Sequence, residues 1–105
     1  MLTSKINESS RFASSTQKSI IGSLDKNEII TKDHGVKQAP FYVLIGAKMP
    51  AILVEIGYIT NPNECELLHS EEYQQSIVDG IVTGINTYVS NTCYALKDKD
   101  REKTQ

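Results

Sequence analysis

Ala51-Ile52-Leu53-Val54-Glu55-Ile56-Gly57-Tyr58-Ile59 is the stretch on which the fold reading turns. It is rich in β-branched and aromatic residues and reads as a strand. Its apolar character is nearly continuous rather than alternating, so such a strand expects cover on both faces. Just upstream, Phe41-Tyr42-Val43-Leu44-Ile45-Gly46 has the same character, and only Ala47, Lys48, Met49 and Pro50 separate the two. That link is too short for a helical crossover, so the two strands are antiparallel neighbours if they pair.

Helical patterns flank this centre. From Glu8 to Leu24, the residues Phe12, Ala13, Thr16, Ile20 and Leu24 recur at spacings of three and four, with Asn7 placed to cap the start. A polar segment from Asp25 to Pro40 follows, in which Asp33-His34-Gly35 reads as a turn. After the strands, Asn61-Pro62-Asn63-Glu64 carries an N-cap, a first-turn proline and a glutamate placed for a capping box, which opens a short helix through Leu68. With Ser70 as cap, a longer helix runs from Glu71 to Val89 on an apolar stripe of Tyr73, Ile77, Ile81, Ile85 and Tyr88. Gly80 and Gly84 lie on a neighbouring line, and each costs about 1 kcal/mol of helix propensity against alanine. Close approach of this helix to the sheet is the expected compensation. The expected class is therefore α/β over residues 1–92: a helix, two adjacent strands, one short and one long helix. Residues 93–105 form a charged tail expected to be disordered. Two strands alone make a narrow sheet with open edges, so the chain reads as half of a larger unit.

The composition excludes several classes of function. At 105 residues the chain is one domain at most. A net charge of -2 gives no basic field for nucleic acid. No apolar run is long enough to cross a bilayer, and the first residues lack the pattern of a signal peptide. Cys65 and Cys93 are the two cysteines, too few for a zinc site built on cysteine and read as unpaired thiols, although they could bridge.

Glu55 is the residue that breaks the apolar pattern. An ionised carboxylate in a buried strand costs several kcal/mol unless it is paired, hydrogen-bonded or beside a metal. Two readings stand side by side. Glu55 faces solvent near the strand end, or pairs with Lys37 or Lys48; alternatively it is a general base or metal-site carboxylate at the sheet's C-terminal edge, where such folds collect their chemistry. Gly57, two residues on, allows a close backbone approach there.

The stretch Val36-Lys37-Gln38-Ala39-Pro40-Phe41-Tyr42-Val43-Leu44, followed by Met49-Pro50-Ala51-Ile52-Leu53-Val54-Glu55-Ile56-Gly57-Tyr58-Ile59-Thr60-Asn61-Pro62, resembles the closing signature of the amidase-3 family of cell-wall amidases. Tyr73-Gln74, Ile77, Ile81, Gly84-Ile85 and Tyr88 resemble the family's last helix, and Ser10, Phe12, Ala13 and Gln17 its preceding one. The resemblance covers roughly residues 8 to 90, in the family's order and spacing.

The resemblance implies a peptidoglycan hydrolase cutting the amide between N-acetylmuramic acid and L-alanine, with one zinc ion held by two histidines and a glutamate upstream of this segment. It implies Glu55 as the catalytic carboxylate beside the zinc-bound water, and no metal ligand within this chain. His34 and His69, the two histidines present, match no family ligand. They read as a turn residue and a cap residue. Tyr58 and Asn61 read as core and cap, with groove-lining and substrate contact as their functional alternatives, and Lys37 as a surface charge or a partner for anionic groups of peptidoglycan. The implied place of action is the periplasm or the cell exterior, whereas the sequence as given, without an export signal, points to the cytoplasm. The fragment alone is expected to be inactive and to bind no zinc. The competing reading is non-enzymatic: a truncated remnant, or a module that binds cell-wall material or a partner without cleaving it.

Overall fold

A computed structural model describes residues 2–103, with side chains described for residues 5–97. Three α-helices account for most of it: α1 (Leu2–Lys26), α2 (Pro62–Leu68) and α3 (Glu71–Lys103). A single 3-10 turn, Tyr42–Leu44, lies between α1 and α2. The Cα extents are 58 × 31 × 17 Å. A helix of α3's length runs to about 50 Å at ~1.5 Å per residue, so α3 sets the long axis of a flat helical hairpin.

The first and last helices pack antiparallel, and their register is legible residue by residue. Phe12 stacks on Tyr88 with ring centroids 5.1 Å apart. The Ser15 hydroxyl donates to the carbonyl of Gly84 at 3.0 Å. Further along, Ser23 donates to the carbonyl of Ser76 at 2.7 Å, and Asn27 Nδ2 donates to the Ser76 hydroxyl at 2.7 Å. The glycines sit at the closest approach. A Cβ at Gly80 would lie 2.5 Å from Ile20 Cα, and one at Gly84 would lie 2.6 Å from Thr16 Cα. Close packing is therefore what the two glycines permit, but against a helix and not against a sheet. The buried core is Ile20, Leu24, Tyr73 and Ile77, with Ile21, Ile29, Val54, Leu67, Leu68 and Ile81 packed around it.

The α/β expectation is corrected here: the fold is helical, and among the described residues there is no strand and no sheet. At the first expected strand the chain curls instead of extending. Leu44 N–H donates to the carbonyl of Phe41, Ile45 to that of Tyr42, and Ala47 to that of Leu44. The second expected strand, Ala51 to Ile59, has no hydrogen-bonded neighbour strand. The physical reason lies in what a strand needs. Two short strands are marginal alone and gain stability from further strands or a covering layer. Helices α1 and α3 spend their apolar faces on each other, so Tyr42, Val43 and Ile45 find no cover and are 89%, 72% and 67% exposed. Only Val54 of the second stretch reaches the helical core.

The helix ends also differ from the sequence reading. The first helix begins at Leu2, so Asn7 lies inside it rather than capping it. The last continues past Val89 to Lys103. Nothing between those residues is a glycine or a proline, and Lys, Arg and Glu are good helix formers. Thr104 and Gln105, the end of the charged tail, lie outside the described residues. Around α2 the caps form as expected. The Asn61 side chain accepts from the N–H groups of Asn63 and Glu64 at 3.0 and 3.2 Å. The capping box is not closed, because Asn61 N–H donates to the carbonyl of Tyr58. Ser70 Oγ accepts from Tyr73 N–H at 3.3 Å at the start of α3.

Candidate functional site

Glu55 sits on an extended segment laid along the α2–α3 corner, and its side chain is exposed. It makes no hydrogen bond or ion pair with any described residue, so neither Lys37 nor Lys48 neutralises it. Both lysines are themselves exposed. The carboxylate is open to solvent, as either reading of Glu55 allows for a segment without its covering layer.

What is unusual is how firmly the backbone on either side of Glu55 is held. Val54 packs against the core cluster. The Tyr73 hydroxyl, from α3, donates to the carbonyl of Ile56 at 2.5 Å. Gly57 follows at φ +145, a conformation that L side chains rarely adopt, and a Cβ there would lie 3.6 Å from Glu64 Cβ and from the Leu68 methyls of α2. The Tyr58 carbonyl then takes the Asn61 N–H at 3.1 Å, which ties the segment to the cap of α2. At the other end, Ala51 N–H donates to Ser9 Oγ of α1 at 3.1 Å. Burial, and then the nearby negative charge of Glu64, push the Tyr73 phenol above its ordinary pKa. The hydroxyl therefore keeps its proton and remains a donor across the neutral range.

Tyr73 is the residue whose part sequence reading missed. It was legible as one more apolar stripe position. A tyrosine on a buried stripe still has a hydroxyl that needs a partner, and that requirement was the available signal.

The histidines stand apart from Glu55. His34 is exposed; no backbone turn forms there, but Asp33 Oδ1 accepts from Gly35 N–H at 2.8 Å across it and from Gln17 Nε2 at 2.7 Å. Those two hydrogen bonds, Gln17 first, hold the Asp33 carboxyl below its ordinary pKa. His69 is the C-cap of α2, with Nδ1 2.8 Å from the carbonyl of Cys65. Cys65 and Cys93 are free thiols. Among the described residues no three histidine, cysteine, aspartate or glutamate side chains converge as a metal site would require. The donor set described here therefore does not fit a zinc ion, whose sites take three or four such ligands. No helix among the described residues is long and apolar enough to cross a membrane.

Comparison with known proteins gives a consistent picture. A family model described as N-acetylmuramoyl-L-alanine amidase matches residues 1–87. The chain is 45% identical over 80 residues to the uncharacterized protein YqiI of Bacillus subtilis, an alignment covering 76% of this chain and 36% of that protein. It is 41% identical over 56 residues to the putative N-acetylmuramoyl-L-alanine amidase YrvJ of the same organism, covering 53% of this chain and 11% of the relative. It is 40% identical over 58 residues to the N-acetylmuramoyl-L-alanine amidase LytC, also of B. subtilis, covering 55% and 12%. The matched region thus spans about a third or less of these curated relatives. No solved structure matches the chain.

Proposed function

We propose, for a chain that belongs to the N-acetylmuramoyl-L-alanine amidase family, that its part in peptidoglycan hydrolysis is to supply the proton-carrying carboxylate, Glu55. The observation that carries this reading is a glutamate left without any partner on a segment whose neighbours are anchored on both sides. A surface carboxylate kept only for solubility needs no such anchoring. A glutamate within hydrogen-bond reach of a water can take its proton as the oxygen attacks an amide carbon. It then returns that proton to the departing nitrogen, so one group serves as base and then as acid. Here the amide would be the one joining the lactyl group of N-acetylmuramic acid to L-alanine, and the place of action the cell wall. The zinc that the family resemblance implies would be held by residues outside this chain.

The test is a graft. Residues of this chain replace the matching segment of LytC from B. subtilis, and release of muropeptide stems from purified peptidoglycan is followed. The graft is expected to turn over, and Glu55→Gln in it to lose turnover by about 10²-fold or more without loss of folded protein. Near-normal turnover by the glutamine variant removes Glu55 from the reaction. The isolated chain is expected to bind no zinc and to clear no peptidoglycan. Clearing by the chain alone would overturn the view that it is one part of a catalytic unit.

A second reading, a non-cleaving module that binds cell-wall material or a partner, draws on one observation. Tyr42, Val43, Ile45, Met49, Tyr58 and Ile59, all within the stretch that carries Glu55, leave their apolar side chains exposed. A graft that binds peptidoglycan but never cuts it would favour this reading.

A further inference from the structure

We infer that Tyr73 is a positioning residue for Glu55, acting through the carbonyl of Ile56; this rests on the reading of Glu55 as the working carboxylate. The argument is one of bracketing. A side chain on an extended segment is aimed by the backbone angles of its own residue and its two neighbours. Val54 is fixed by apolar packing against the core. On the far side, the Tyr73 hydroxyl grips the Ile56 carbonyl at 2.5 Å. Glu55 lies between these two anchors, with its own side chain free in solvent.

Tyr73 is suited to the task by its own setting. It is 6% exposed, packed with Ile20, Leu24 and Ile77 at the centre of the helical core. A phenol ring has two side-chain torsions, and burial leaves them little freedom, so the hydroxyl is a fixed point. The anchor therefore links the buried core to the residue next to Glu55. Phenylalanine at this position would keep the packing and lose only the grip. A tyrosine serving merely as core filler predicts that this exchange changes nothing near Glu55.

That difference makes the test. In the full chain, backbone amide order parameters are measured by nuclear magnetic resonance for wild type and Tyr73→Phe. In wild type, Glu55 and Ile56 are expected near the rigid value of about 0.85. In the variant they are expected to fall below about 0.6, the flexible range, with Ile20 and Ile77 unchanged. In the LytC graft, Tyr73→Phe is expected to lower kcat about tenfold to a hundredfold, as a displaced catalytic group does, with KM within about twofold. Unchanged order at Glu55 and Ile56 overturns the inference, as does unchanged kcat in a graft that Glu55→Gln inactivates. Should Glu55→Gln remain active, the reading of Glu55 falls, while the order parameters still decide whether Tyr73 holds the segment.

Discussion

The α1–α3 pair and the stretch from Phe41 to Thr60 are both rich in apolar residues, yet they end in opposite conditions. In the helix pair, Ile20, Leu24, Tyr73 and Ile77 are buried, and two glycines bring the backbones almost into contact. In the stretch, Tyr42 and Ile59 are 89% and 77% exposed, and the backbone forms turns and an unpaired extended run. Each kind of element asks something different of its surroundings. A helix satisfies its own backbone and needs one apolar neighbour, which this chain provides. A strand needs other strands for its hydrogen bonds and layers for its faces, and the described residues provide neither. The helices hold the stretch at Ala51, Val54, Ile56 and Gly57.

The comparison can be broken most sharply at its tight side. Gly80→Ala places a methyl 2.5 Å from the backbone of Ile20, so the helices must separate. We expect a loss of about 2 kcal/mol from overpacking, net of the ~1 kcal/mol of helix propensity that alanine returns, read as a lower urea midpoint. A stability equal to wild type would mean the helices are not in close contact. A smaller effect is expected at the junction. Asn61→Ala removes the acceptor for two N–H groups at the start of α2 and should cost about 1 kcal/mol, seen in the same denaturation. The smallest effect belongs to the loose side. Ile59→Ser removes an apolar residue from the stretch that reads most strongly as a core strand, yet it should change stability by less than about 0.5 kcal/mol. A loss of several kcal/mol would show that the stretch is buried after all.

Much of the helical half was legible in the sequence, because helix signals are local. The stripe of Thr16, Ile20 and Leu24 and the Asn61 and Ser70 caps all depend on residues within a few positions of one another. Gly80 and Gly84 announced a close approach, but their partner is a helix, since a glycine signals closeness without naming what comes close. The strands were misread because apolar, β-branched composition reports suitability for a sheet, and a sheet is a property of several segments at once. Helix ends were placed poorly where no glycine or proline marks them, as beyond Val89. Glu55 stood out by breaking an apolar run, but residue pattern alone left it between a surface charge and a working group. Its assignment as catalytic came from resemblance to a family. Tyr73's grip on Ile56 was hidden because the two residues lie 17 positions apart, and no periodicity links a helix position to a carbonyl on an extended segment.

The proposed role of Glu55 is to move the proton in amide cleavage. It is tested most directly by kcat for muramoyl–alanine cleavage in the LytC graft, measured for Glu55→Gln beside Lys48→Ala, a nearby exposed change that should be silent. A fall of about 10²-fold or more is expected for Glu55→Gln alone, with both variants folded. Equal rates for the two variants would contradict it.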